Sequence, residues 1–172
     1  LGTQGSGEQS IWIAHFNGIS RVDLNSPFRM QSIGPRSMGM DGRGQGEMIT
    51  DLVEFGEEIF VSTQGGIHHR PYNSERPWFR NIRGIRDEIH DLQLVQPSAG
   101  LQYLIASGND HTYVIDQGFK VSTLLPGGRK VLIDPKNPAI FYTGNYDFHG
   151  FQYNNGKWEE ILKVELHEPI WP

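Results

Sequence analysis

Antiparallel sheet, repeated along the chain and with little helix, is what this sequence predicts, and three observations carry the prediction. The first is Ile11–Asp23 (IWIAHFNGISRVD), where apolar alternation runs on both sides of a short polar turn ending in Gly18. Two strands joined by a hairpin require that pattern, since one face of each strand is buried and the turn needs a residue that tolerates positive φ. The second is that the pattern returns in Ile59–Tyr72 (IFVSTQGGIHHRPY), Tyr103–Asp116 (YLIASGNDHTYVID) and Ile140–Tyr153 (IFYTGNYDFHGFQY). Aligned on the bulky apolar residue of the first strand, these put Trp12, Phe60, Leu104 and Phe141 in register, at separations of 48, 44 and 37 residues. The third is composition: 21 glycines, 10 prolines and 11% aromatics favour turns and broad sheets, and no stretch carries an i, i+3, i+4, i+7 apolar stripe. A repeat of this length holds about four strands, the spacing of propeller blades at roughly 40–50 residues each. The expected fold is all-β, a β-propeller fragment of about four antiparallel four-stranded blades.

The elements follow in order. Leu1–Ser10 is rich in Gly, Gln and Ser and reads as a loop before the first hairpin. Asn25–Pro27 breaks the chain, Phe28–Ile33 forms an outer strand, and Gly34–Gly46 carries five glycines, too many for regular structure. Ile49–Glu54 (ITDLVE) is the next inner strand, and Ile89–Leu94 (IHDLQL) repeats it 40 residues on, with Asp51 and Asp91 in the same place. In the second blade Asn73–Pro77 turns and Trp78–Ile82 is the outer strand; in the third, Pro97–Gly100 turns and Phe119–Leu124 is the last strand. In the fourth, Lys130–Ile133 is the inner strand, Asp134–Pro138 (DPKNP) a tight turn, and Asn154–Gly156 the hairpin before Trp158–Val164. The blade units expected are 1–34, 47–85, 88–126 and 129–164, with 165–172 opening a further one. Propellers commonly close with more than four blades, so these units read as part of a larger whole.

Chemistry is bounded mainly by exclusion. The net charge of −5 is interspersed, and no Lys or Arg run offers a phosphate track, so nucleic acid is not an expected partner. Absence of Cys removes disulfides, thiolate catalysis and Cys-ligated zinc. The seven histidines show no ligand spacing, and adjacent His68 and His69 on a strand point to opposite faces, so no metal site is expected. Acidic pairs such as Glu57–Glu58, Glu159–Glu160 and Asp110 with Asp147 lack anything that sets a glycosidase separation. No nucleophile elbow, P-loop or dinucleotide fingerprint occurs. Neither catalytic residues nor a cofactor are expected.

The segments IWIAHFNGISRVDLNSPF, ITDLVEFGEEIFVSTQGGI and DPKNPAIFYTGNYDFHGF with NNGKW resemble the repeats of the two-component regulator propeller family, whose pattern is lW-igT-xxGl-xxld. The chain departs from it at His15, where Thr is usual, and at His111, which takes the third hairpin's glycine position after one inserted residue. The resemblance implies a periplasmic, extracytoplasmic part of an inner-membrane protein: a non-catalytic sensor region of a bacterial hybrid histidine kinase. The partners it implies are the rest of the same propeller and downstream signalling domains.

Strand reversal puts the central hairpin turns and the blade-to-blade connections on one face, which collects His15–Asn17, Gln64–Gly65, Gly108–His111 and Asn145–His149, with Gly34–Gly46 and Arg83–Asp87. Binding groups concentrate on loops held by a rigid scaffold. The ligand-binding candidates are His15, Asn17, Gln64, Asn109, Asp110, Asn145, Asp147 and His149, with a glycan or other small molecule as ligand. Exposed apolar end faces make a homodimer the expected assembly. The competing readings are a glycan-cleaving propeller enzyme, for which DPKNP and the GKW of Gly156–Trp158 give the only support, and a purely structural segment.

Overall fold

The computed structural model describes residues 10–15, 18–23, 29–31, 48–74, 79–124 and 127–165. Among them there is no helix, and the strands make four antiparallel sheets in chain order. The first sheet holds β1 (Ser10–His15), β2 (Gly18–Asp23) and β3 (Arg29–Gln31). The second runs β4 (Ile49–Phe55), β5 (Glu58–Thr63), β6 (Gly66–Pro71) and β7 (Arg80–Asn81). The third runs β8 (Ile89–Ser98), β9 (Leu101–Gly108), β10 (Thr112–Ile115) and β11 (Val121–Leu124). The fourth runs β12 (Lys130–Ile133), β13 (Ile140–Gly144), β14 (Asp147–Asn154) and β15 (Lys157–Glu165). Each strand pairs with the next in sequence, which is the blade pattern of a propeller. The predicted loop Gly34–Gly46 and the segment 166–172 lie outside the described residues.

Turn chemistry sets the hairpins. Between Asn154 and Lys157 the two-residue turn needs positive φ at both central positions, and Asn155 (47°) with Gly156 (85°) supplies it. In DPKNP the Asp134 carboxylate accepts from the Lys136 and Asn137 amides at 2.8 and 3.0 Å, which lowers its pKa from the usual carboxylate value.

The sheets stack face to face through three apolar clusters. Ile19 of the first sheet meets Ile59, Val61 and Phe79 of the second, with Trp12 packed against them. Phe55, Phe60 and Ile67 meet Leu92, Leu104, Ala106 and Ile115 across the second and third sheets. Val95, Ile105 and Val114 meet Val131, Phe141 and Phe151 across the third and fourth.

These clusters correct the hairpin alignment. Trp12 and Phe60 point toward the following sheet, whereas Leu104 and Phe141 point toward the preceding one; the counterpart of Leu104 is Ile59, not Phe60. A one-residue slip flips a strand's face. It escapes the sequence because Leu104, Ile105 and Ala106 are all fully buried, so β9 reads as an unbroken apolar run with no alternation to fix its phase.

The repeated aspartates join the inner strands. Asp51 Oδ2 accepts from the Leu92 amide of the next sheet at 2.9 Å and Oδ1 from Leu52 at 2.8 Å. Asp91 repeats the reach, with Oδ2 on the Val131 amide at 2.8 Å and Oδ1 on Lys130 Nζ at 2.5 Å. Burial pushes the Asp51 carboxyl up, and the Asp91 hydrogen bond raises the Lys130 ammonium. In the fourth sheet Lys130 stands in the aspartate's place.

Candidate ligand-binding face

At one end of the stack the turns β5–β6, β9–β10 and β13–β14 lie beside the connections 82–88 and 127–129, as alternation of strand direction requires. Backbone contacts make this end continuous. Ile82 N donates to Ile67 O, and a Cβ on Gly66 would sit 2.8 Å from Ile85 O. Asn109 N donates to Glu88 O at 3.0 Å, Gly127 N to Asp110 O and Gly128 N to Gly108 O at 2.9 Å each, and Arg129 N to Gly144 O at 3.0 Å.

Asp87 is the centre of the β9–β10 turn. Only 6% exposed, its carboxylate accepts from the Asp110 and His111 amides, each 3.1 Å from Oδ2, and from the Tyr113 hydroxyl at 3.3 Å. Burial and then this carboxylate push the Tyr113 phenol up to about 12. A Cβ on Gly108 would lie 2.4 Å from Asp87 Oδ2, so a larger residue there would have to displace this carboxylate. With its amides committed, the turn leaves the Asn109 and Asp110 side chains exposed. Asn109 Oδ1 lies 2.8 Å from His90 Nε2, and its Nδ2 donates to Glu88 Oε2 at 3.1 Å. Amide, carboxylate and imidazole thus share one ledge, a set that can donate to and accept from a hydroxyl-rich or amine-bearing ligand.

The other candidates separate. Gln64 is exposed on the β5–β6 turn, and Asn145 is half-buried on the β13–β14 turn beside Tyr146, which is 63% exposed and offers an apolar ring. Asp147 opens β14 and pairs with Glu165. His149 is no loop residue. It lies within β14 at 4% exposure, stacked on Phe151 with centroids 6.3 Å apart, its Nδ1 2.5 Å from Glu160 Oε1 and its Nε2 3.9 Å from Asp147 Oδ2. His15 is the last residue of β1, and Asn17 lies outside the described residues.

Asp87, Glu88 and His90 join this end, although the sequence does not mark them as binding candidates. One signal for them was present: His90 sits between Ile89 and Asp91 in the repeated inner-strand motif, where the ladder slips by one residue and turns it out of the pairing. Thr50 occupies the same place in β4 and spends its hydroxyl on Ile89 O. Among the described residues no group of three or more His, Asp or Glu is placed to hold a metal ion.

No family model matches the chain, and no curated protein matches it by sequence. Solved structures do match its shape. The extracellular domain of a B. thetaiotaomicron protein assigned as a hybrid two-component system aligns with a TM-score of 0.60 at 18% identity, over 95% of this chain and 21% of that one. The N-terminal domain of Nup159 aligns at 0.58 and 12% identity, over 91% of this chain and 41% of that one. A Bacteroides fragilis protein assigned as a 6-phosphogluconolactonase aligns at 0.50 and 12% identity, over 93% and 56%. The chain spans well under two thirds of each of these structures. At such identities the likeness is one of fold, a propeller-like stack of four-stranded sheets.

Proposed function

We propose that the chain is a non-catalytic ligand-sensing or interaction module, part of an extracytoplasmic propeller of a bacterial two-component sensor of the two-component regulator propeller type. The observation that carries this reading is the rigid β9–β10 turn, whose amides are held by Asp87 while Asn109 and Asp110 remain outward. Preorganised polar groups on a fixed scaffold bind without the ordering cost of a loop. The similarity in fold to an extracellular two-component domain supports the same reading.

The ligand class proposed is a glycan fragment or a comparable polyhydroxylated small molecule, with Tyr146, exposed on the β13–β14 turn at the same end, as an apolar ring open to solvent. A thermal-shift screen of glycan fragments tests it: saturation at about 100 times Kd adds about 2.7 kcal/mol of stability. The hit should weaken on Asp110→Ala and Asn109→Ala without a fall in the melting temperature of the free protein. Unchanged affinity in both variants would remove the site from this face. Turnover of chromogenic glycosides that disappears on Asp110→Asn or Asp147→Asn would replace the sensor reading with a hydrolytic one.

A further inference from the structure

One face of the fourth sheet stands outside the three apolar clusters. The cross-strand row Val53–Phe60–His69 of the second sheet turns toward the third, and the row Gln93–Ile105–Val114 of the third turns toward the fourth. Covered in this way, Phe60 and Ile105 are fully buried. The corresponding row of the fourth sheet is Leu132–Tyr142–Gly150–Leu162, and among the described residues no sheet covers it.

Its side chains are those of a joint rather than of a wet face. Leu132, Leu162 and the neighbouring Val164 are 54%, 39% and 42% exposed. A Cβ on Gly150 would sit 3.0 Å from ring atoms of Tyr142 and 3.1 Å from Leu162 Cβ, so these two side chains close over the glycine. Phe148, opposite Val164, stacks on Tyr142 with centroids 5.5 Å apart. The surface is continuous and apolar, where alternation would leave a solvated sheet face polar.

The other half of such a joint lies at the opposite end of the stack. Trp12 packs toward the second sheet, so Ile11, its neighbour on β1, faces away from it and is 51% exposed. At each of the three internal joints the forward face of one sheet meets the rearward face of the next. We propose that the free face of the fourth sheet seats the first sheet of a second copy of this chain, and that two copies joined head to tail at both ends close into one ring. Such a ring holds twice the four sheets of one chain, a number at the upper end of the roughly 4–8 blades of propellers. A head-to-tail contact closes in this way when the rotation between units completes a full turn. Nothing in the joint depends on the ligand face.

Light scattering on the purified chain should show a dimer that dissociates on dilution, with no larger species. Leu132→Glu and Ile11→Glu alter side chains that are exposed in the single chain, so circular dichroism should keep its sheet signal in both. Each puts a carboxylate into both joints of the ring and should raise the dissociation constant about a hundredfold or more. An equimolar mixture of the two variants regains one joint free of carboxylates and should associate more tightly than either variant alone. A chain that stays at 19.5 kDa at every soluble concentration would overturn the proposal. A dimer weakened by Leu132→Glu but indifferent to Ile11→Glu would do so too, since it would pair two fourth sheets face to face. So would open-ended growth with concentration, or a mixture no tighter than its components.

Discussion

Removing the Asp91 carboxylate should loosen the joint between the third and fourth sheets by an amount the structure sets. Asp91 is 2% exposed and takes the amide of Val131, itself 2% exposed, at 2.8 Å. Asp91→Ala leaves that N–H buried without an acceptor, a loss of about 1–3 kcal/mol, and forfeits a hydrogen bond to a charged group, so the total is about 2–4 kcal/mol. Lys130 adds little, because its side chain is 55% exposed and returns to water. Asp91→Asn keeps an acceptor for Val131 and should cost about half as much. At this chain length about 2–4 °C of melting temperature accompanies each kcal/mol, so the Ala variant should melt roughly 4–16 °C lower. Urea unfolding gives the free energy, and hydrogen exchange at the Val131 amide should accelerate in step. A cost below about 0.5 kcal/mol for Asp91→Ala, or an Asn variant no better than Ala, would refute the account of this residue as an inter-sheet clamp.

Phe141 is fully buried between the third and fourth sheets, so Phe141→Ala should cost about 3–5 kcal/mol in urea unfolding. Gly127→Ala places a Cβ 2.1 Å from Asn109 O, and overpacking against main chain should cost about 1–3 kcal/mol and perturb the β9–β10 turn. Alkaline stability should depend on Tyr113: below pH 10.0 both states keep its proton, and between 10.0 and about 12 the unfolded chain loses it first, so stability falls across that window. Tyr113→Phe should reduce the slope of melting temperature against pH there. A remainder is expected from Tyr103, which burial and the Tyr153 hydroxyl also push up to about 12.

Hairpins and inner strands were legible because each is written in local terms. Gly56, Gly100 and the Asn155–Gly156 pair mark turns, and Ile-Thr-Asp-Leu and Ile-His-Asp-Leu mark a repeated strand. Phase within a doubly buried strand is not local, so the sequence pattern puts Phe60 in register with Leu104 although the two face each other across a sheet boundary. The candidate face was legible as a set of turns, since strand reversal alone places them, but not in its membership. His149 looks like a turn residue because Tyr-Asp-Phe-His-Gly is polar and glycine-bearing, yet β14 begins at Asp147 and carries His149 into the core. Asp87 looks like one more charged connector; its worth comes from three donors on residues 110, 111 and 113, which meet it only after the third sheet forms.

That arrangement also bears on how binding at this end could be felt elsewhere. The β9–β10 turn is fastened on one side by Asp87 and Glu88 and on the other by Gly127 and Gly128, so it has little freedom to change shape alone. Residues 82–88 lead out of the second sheet and 127–129 lead into the fourth, so a ligand that pulls on Asn109 or Asp110 pulls on connections to both neighbours. Closely packed faces respond to such a load by shifting as units rather than by deforming. The signal proposed for this module is therefore a change in the angle between adjacent sheets, with Asp51 and Asp91 as the hinge contacts along the inner strands. Asp91→Asn should then leave ligand affinity nearly unchanged while weakening the exchange protection that ligand confers on Val131 and β12. Equal protection in both forms would place the response within the loops instead.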